Sequence, residues 1–344
     1  MRTLDFPCIV ADGGGGLAVY ASRRIRAGER ILMERPLVLT ISHEARSHIC
    51  TNCLADSRST GSASNSWSLV CEECGTQRYC SQQCMAAQAA RHRGIECAAL
   101  ARAAAAPLED DDIDTVAQFI RILADRNHGW QADAGPPGVV GVGNAHAERL
   151  VGVTPSTDEA RTALRRIAAA TLALLPKEVR IPSSELVDLL ERHGCNLYGV
   201  TGAAGEDVAG ASFVGFFHLF NHACCPNVVF DSARQVMPAT AEGQPPCFAL
   251  LALEDIAEGT ELNISYTSSA DGPAQRSEHL REYYGFECAC SRCMCGDIAA
   301  ELDFADALEA KRCTREECGS GLSVPSADGA MRCVHCGGEW EPDE

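Results

Sequence analysis

The chain has 344 residues, 46% of them hydrophobic, and a formal charge of −18. That length and apolar content support a substantial core spread over two or three domains. The acidity argues against broad affinity for nucleic acid phosphates and favours a basic partner, such as a Lys-rich protein segment.

The opening, "MRTLDFPCIVADGGGG", lacks a basic n-region followed by an apolar h-region, so no signal peptide is expected. "LAVYASRRIRAGERILMERPLVLTIS" reads as two strands joined by a turn at Ala27 and Gly28. Residues 50–97 form a dense Cys/His block with a Ser/Gly-rich insert from Ser57 to Ser68. "ALARAAAAPLEDDD" reads as a helix end and linker, and "DIDTVAQFIRILADR" as a helix with Asp112 or Asp114 as its N-cap. Gly129 to Gly143 is Gly/Pro-rich and reads as a loop. "TPSTDEARTALRRIAAATLALL" is the clearest helix, ended by Pro176, and "SSELVDLLERHG" is a second, with Gly194 as its stop. From Val208 to Tyr266 the pattern is short strands and turns. No apolar run reaches the ~18 residues of a membrane span.

Twenty cysteines without a visible signal peptide point to zinc thiolates. The alternative is a secreted disulfide scaffold, but those are usually much shorter. In the 50–97 block the candidates are Cys50-x2-Cys53, Cys71-x2-Cys74, Cys80-x3-Cys84, His92 and Cys97. Two cysteines separated by two residues can place both sulfurs on one tetrahedral ion at about 2.3 Å. Eight ligands suffice for two closed sites, and so short a block needs metal for its folding energy. Cys288, Cys290 and Cys293 are one ligand short of a tetrahedron, and the stretch "FNHACCPNVVF" offers the fourth as Cys224 or Cys225. Cys313-x4-Cys318 with Cys333-x2-Cys336 is a self-contained four-thiolate set that reads as a small zinc ribbon. Cys8, Cys195, Cys225, Cys247 and Cys295 are then left over and read as ordinary buried thiols.

Several of these segments carry a resemblance. The 50–97 block, with Tyr79 before Cys80, resembles a MYND zinc finger. "FNHACCPN", then "ELNISY", then "YYGFECACSRC" look like the end of a SET domain with its post-SET cysteines, and "GGGGLAVYASRRIRAGERIL" resembles the SET opening. A MYND finger between two SET halves is the arrangement of the SET and MYND domain protein-lysine methyltransferases, covering about Gly13 to Cys293. The gap from Cys53 to Cys71 is long for that family, and four residues separate His92 from Cys97 where three are usual.

The resemblance implies an α+β fold: a β-rich SET fold split by a MYND finger and a helical insert, with a post-SET zinc site and a C-terminal ribbon. Its expected parts are 1–49 (SET, N-terminal part), 50–97 (finger), 98–194 (helical linker and insert), 195–267 (SET, catalytic part), 268–296 (post-SET) and 297–344 (ribbon). It implies interleaved finger sites, Cys50, Cys53, Cys80 and Cys84 on one zinc and Cys71, Cys74, His92 and Cys97 on the other. Cys224 matches the family cysteine that joins Cys288, Cys290 and Cys293, so about four zinc ions per chain are expected.

It also implies S-adenosyl-L-methionine as cofactor, held by Gly13, Gly14, Gly15, Gly16, Asn196, Asn221, His222 and Tyr266, with Phe286 near the adenine. Tyr266 and Tyr284 match the tyrosines lining the target-lysine channel; Tyr283 beside them reads as a packing aromatic. The implied partner is a protein substrate bearing a target lysine, the implied state a monomer, and the implied location nucleus or cytoplasm. Two rivals remain. One is a catalytically inactive adaptor whose finger binds proline-rich segments. The other is a nucleic-acid-binding zinc protein with a basic patch near Arg91 and Arg93. Longer family members carry a large helical C-terminal domain over the substrate cleft; here about 50 residues follow Cys293, so substrate specificity does not transfer.

Overall fold

The computed structural model describes residues 6–13, 16–60, 65–127, 150, 152–155, 157–202, 206–232, 246–268, 271–296, 298–316, 318, 321–326 and 328–341. Four strands open the chain: β1 (Cys8–Asp12), β2 (Leu17–Ala21), β3 (Arg30–Glu34) and β4 (Val38–Ile41). A short hairpin, β5 (Leu69–Val70) and β6 (Arg78–Tyr79), precedes five helices: α1 (Gln82–His92), α2 (Ile95–Ala104), α3 (Asp110–Asn127), α4 (Asp158–Leu174) and α5 (Ser183–Gly194). The second strand-rich part holds β7 (Leu197–Thr201), β8 (Asp207–Ser212), β9 (Asn221–His222), β10 (Val228–Asp231), β11 (Phe248–Ala252) and β12 (Asn263–Ile264). Helices α6 (Pro273–His279), α7 (Ser291–Met294) and α8 (Ile298–Glu309) lead to β13 (Ser323–Pro325), β14 (Met331–Cys333) and β15 (Glu339–Trp340).

The first and second strand-rich parts interlock. β3 pairs with β11 in a sheet ordered β10-β11-β3, β4 pairs with β8 in a sheet ordered β4-β8-β7, and β9 runs parallel to β12. The inward side chains meet in one core that includes Ile25, Leu32, Ile41, Phe213, Phe217, Phe220, Phe248, Leu250 and Leu262. The expected turn at Ala27 and Gly28 forms, with Gly28 at φ 75°, a conformation a Cβ disfavours. The two strands it joins do not form a hairpin, however, because β2 pairs with β1. The intervening Ile25, fully buried, bridges to Ile256, and Ala21 donates its N–H to the Thr260 carbonyl. Burial of Ile25 therefore directs the connection across the later half of the chain.

The helices form a second layer. On α3, Val116, Ile120 and Leu123 recur on one face and are buried with Leu100, Ile167, Leu186 and Leu190. Thr157 caps α4, its hydroxyl accepting from the Ala160 N–H at 3.2 Å. Neither expected cap of α3 acts as one, since the helix starts upstream at Asp110. Asp112 instead binds the Arg166 guanidinium at 2.7 Å, and Asp114 accepts from the His43 N–H and from Arg46. Gly194 is the last residue of α5, two positions before the C′ place expected of it, with Cys195 as the cap. Residues 129–143 of the expected loop and 61–64 of the Ser/Gly insert lie outside the described residues.

Of the five leftover cysteines only Cys247 is buried; Cys8, Cys195, Cys225 and Cys295 are partly exposed. Arg91 is not part of an open basic patch, since Asp125 and the Leu37 carbonyl engage it. No described helix is long and apolar enough to cross a membrane.

Candidate active site

Four sets of side chains converge, each with its ligand atoms within 4.8 Å of one another: Cys50, Cys53, Cys80 and Cys84; Cys71, Cys74, His92 and Cys97; Cys224, Cys288, Cys290 and Cys293; Cys313, Cys318, Cys333 and Cys336. The sulfurs of Cys53 and Cys80 are 3.5 Å apart, Cys71 and Cys97 3.6 Å, Cys224 and Cys293 3.4 Å, Cys318 and Cys333 3.7 Å. A disulfide would bring them to about 2.05 Å. Four thiolates about 2.3 Å from one tetrahedral ion stand about 3.8 Å apart. The donor sets therefore fit closed four-coordinate zinc, and the two finger sets interleave along the chain. The finger's own core is small, Cys50, Tyr79 and Cys84 with Trp67 and Leu69 packed on it, which is why it needs the metal to fold.

His92 turns Nε2 toward Cys74 at 3.5 Å and Nδ1 toward Glu96 at 3.2 Å. Burial pushes the Glu96 carboxyl up, but the Arg121 guanidinium and His92 outweigh it and hold it at about 2. A charged carboxylate behind the imidazole orients it as a ligand.

The third set ties the "FNHACC" segment to the residues after α6. Cys224, not Cys225, joins it. Two residues earlier, His222 accepts the Tyr266 N–H on Nδ1 at 2.9 Å, which leaves the proton on Nε2, 3.1 Å from the Cys224 sulfur. Both ring nitrogens are thus engaged within the protein. Burial pushes this imidazole down to about 4, so the ring is neutral. Asn221 points outward and its amide donates to Glu261 at 3.0 Å and to the Leu17 carbonyl at 3.4 Å. Leu17 directly follows the Gly turn. There the Gly13 N–H donates to the Gly16 carbonyl at 2.7 Å, and Gly16 sits at φ 147°. A Cβ on Gly13 would stand 3.0 Å from that of Ala18. Gly14 and Gly15 lie outside the described residues.

Tyr266 is the junction of an aromatic cluster. Its ring centroid lies 4.6 Å from that of Tyr284, 5.3 Å from His222 and 6.5 Å from Phe286. Its hydroxyl donates to the Phe220 carbonyl at 2.8 Å, which leaves the phenolic oxygen's lone pairs for another donor. Burial raises the Tyr266 phenol well above its ordinary value and the Tyr284 phenol to about 12, so both stay protonated. Tyr283 is 58% exposed and stacks on His279, which corrects its reading as a packed aromatic.

One cleft of about 320 Å³ gathers Tyr266, Tyr284 and Asn196, together with Tyr198, His218 and Asp207. Asn196 anchors its amide on the Arg192 carbonyl at 2.7 Å. Asn221, His222, Phe286, Gly13 and Gly16 do not line this cleft; the His222 and Phe286 rings neighbour that of Tyr266.

Sequence reasoning missed Glu34. Fully buried at the end of β3, its carboxylate accepts the N–H groups of Gly215, Phe216 and Phe217 at 2.5, 2.8 and 3.0 Å. It clamps the turn that leads into the Asn221–His222 motif. The signal was a lone acid after the apolar run "ILM" in a strand. Also missed were Arg276 and Arg292, both buried against the third cysteine set and paired with Glu301. Arg292 also donates to the Cys224 carbonyl at 3.2 Å.

The SET domain family matches residues 16–267, and the chain belongs to it, on the SET and MYND side. Histone-lysine N-methyltransferase ASHR1 of Arabidopsis thaliana is 23% identical over 325 residues, 93% of this chain and 62% of that protein. Histone-lysine N-methyltransferase SMYD3 of Mus musculus is 24% identical over 306 residues, 85% of this chain and 62% of its own. N-lysine methyltransferase SMYD2 of Gallus gallus is 28% identical over 288 residues, 82% and 58%. The chain thus spans about three fifths of the length of these relatives. The SET domain of LSMT, crystallised with lysine and AdoHcy, aligns over 84% of this chain and 54% of that one at 12% identity and a TM-score of 0.35, too loose a fit for an argument about residues.

Proposed function

We propose that the chain is an S-adenosylmethionine-dependent protein-lysine N-methyltransferase. The observation that carries this reading is the Tyr266–Tyr284 pair at the wall of the cleft, with Tyr266 fastened through His222 to a motif that the third cysteine set pins in place. When bound, the cofactor supplies an electrophilic methyl group on a sulfonium, which departs as a neutral thioether.

The residues on the other side of that transfer have definable work. A lysine must arrive neutral, because an ammonium has no lone pair to attack with. The half-buried rings of Tyr198, Tyr266 and Tyr284 desolvate its amine and lower its pKa. The Tyr266 oxygen, already donating to Phe220, accepts an N–H and so aims the remaining lone pair. Positioning of this kind supplies several kcal/mol, about 7–11 at the favourable limit. The backbone of the Gly13–Gly16 turn, the main chain at Asn221 and His222, Asn196, and the Phe286 ring are the groups we assign to the cofactor. With its ring nitrogens engaged internally, His222 offers a ligand its main chain and ring face.

The test is methylation of a cell lysate with labelled cofactor, run beside calorimetric titration of S-adenosylmethionine. A protein that neither binds the cofactor nor labels any lysate protein would instead be the adaptor.

A further inference from the structure

The C-terminal ribbon does not hang free. Leu322, Val324 and Val334 pack on Ala249 and Leu251 of β11 and on Leu253 just past its end. The Ser232 N–H and hydroxyl both donate to the Val334 carbonyl, at 3.0 and 3.2 Å. Arg332 on β14 forms a two-pronged ion pair with Asp231 on β10. At the Ala27–Gly28 turn the fit is closer still, since a Cβ on Gly28 would fall 2.0 Å from the Pro325 carbonyl oxygen. Apolar contact, hydrogen bonds and a buried ion pair therefore fix the ribbon in one orientation on the catalytic half of the fold.

That orientation has a consequence for the cleft. Leu322 and His335 line the same cavity as Tyr266, Tyr284 and Asn196. His335 also borders an adjoining cavity of about 150 Å³ shared with Asp56, Thr201 and Gly202. The same cavity is also lined by Leu197, Tyr198, Gly199 and Thr201 of β7 and by Asp207 at the start of β8.

We propose that the ribbon is the outer wall of the substrate cleft, and that Leu322 and His335 are specificity-determining residues that meet the polypeptide beside its target lysine. This rests on the methyltransferase reading. The substrate is a polypeptide segment threading between β7 and the ribbon, with an uncharged residue against Leu322 and His335. The ribbon's thiolate set then serves recognition, by holding a wall rigid, and not chemistry.

The full chain, with His335→Ala and His335→Trp, is assayed with labelled S-adenosylmethionine on a peptide library in which one fixed lysine is flanked by randomised positions. Zinc content and cofactor affinity are measured on each protein. Both variants should keep the wild-type zinc content and cofactor affinity. Their ranking of peptides should shift by on the order of tenfold in kcat/KM, carried by KM, with opposite preferences for residue size in the two variants. Should either variant lose zinc, Leu322→Ala, which enlarges the same wall and lies outside the Cys333–Cys336 loop, gives the readout expected of His335→Ala. Variants that hold zinc and rank peptides as the wild type does overturn the inference while leaving the enzyme intact. A wild type that binds no cofactor and labels no peptide overturns the methyltransferase reading, and the inference falls with it.

Discussion

Asp231 and Arg332, some hundred residues apart in sequence, are joined by an ion pair from which water is excluded. Their side chains are 2% and 6% exposed, with Nη2 to Oδ2 at 2.7 Å and Nη1 to Oδ1 at 3.3 Å. A buried pair of this kind adds little net stability but is costly to break from one side. Arg332→Met should therefore destabilise the ribbon's seat by about 3–5 kcal/mol, because it removes the guanidinium from a buried ion pair and leaves the Asp231 charge in place. Adding Asp231→Leu to it should recover most of that loss. Thermal melts and amide exchange over 323–333 measure both; equal damage from single and double variants would show that the pair is not what holds the ribbon.

Metal content follows from the four converged sets. Purified protein should carry about four zinc ions, one per tetrahedral set. Cys224→Ala should reduce the count by one, and Cys225→Ala should leave it unchanged, since only Cys224 joins the third set. Elemental analysis of the three proteins decides it, and a wild-type count near two would remove the third and fourth sites.

Glu34→Ala should cost about 2–4 kcal/mol, since it leaves three buried N–H groups without their acceptor. Glu34→Gln keeps the shape and one acceptor oxygen and should cost less. Both should also weaken cofactor affinity, because the clamped turn leads into Asn221 and His222. Denaturant melts with calorimetry test this, and an Ala variant as stable as the wild type would remove the clamp.

Tyr266→Phe keeps the ring and removes the hydroxyl. Turnover should fall on the order of a hundredfold, while cofactor affinity stays near wild type. The Phe220 carbonyl also loses its donor, so stability should drop by about 1 kcal/mol. Single-turnover methylation beside a thermal melt separates the two effects; a stability loss with full activity would make the phenol only a cap for that carbonyl.

His193 provides a pH signature. At the end of α5 it is 2% exposed, with Nδ1 2.9 Å from the Ser212 hydroxyl and Phe119 edge-on at 5.5 Å. Burial pushes it down to about 4, below the ~6.5 of an unfolded chain. The unfolded chain then binds the proton more readily. The His193 contribution is whole above about pH 6.5 and is lost as pH falls through 4, about 3 kcal/mol in all. The stability of the wild type relative to His193→Gln should shrink over that window, in denaturant melts at matched zinc content. A constant difference would mean that the imidazole titrates normally.

Spacing made the clusters of metal ligands legible, since Cys-x2-Cys pairs announce shared ions; the interleaved pairing in the finger and the choice of Cys224 over Cys225 came from the family resemblance. The aromatic cluster was legible through motif position, since Tyr266, Tyr284 and Phe286 stand at fixed distances from the cysteines. Glu34 was not legible as a clamp, because its partners are backbone groups about 180 residues later, and backbone donors leave no trace in side-chain patterns. Nor was the ribbon's place beside the cleft. Leu322 and His335 look like filler between ligands until the Arg332–Asp231 pair fixes which way the ribbon faces.

The pairing of β3 with β11 also sets a timetable for the protein's birth. Leu32 lies opposite Leu250, so β3 leaves the ribosome with its principal partner still some 200 residues from synthesis, or roughly 10–45 s at ordinary elongation rates. The finger and the helices between them close on nearby sequence and can settle meanwhile. β3 and β4 must wait with apolar faces and unpaired edges open to other chains, the condition in which strands aggregate. Nascent chains of this protein should therefore depend on chaperones early in synthesis and lose that dependence only once β8 and β11 have emerged.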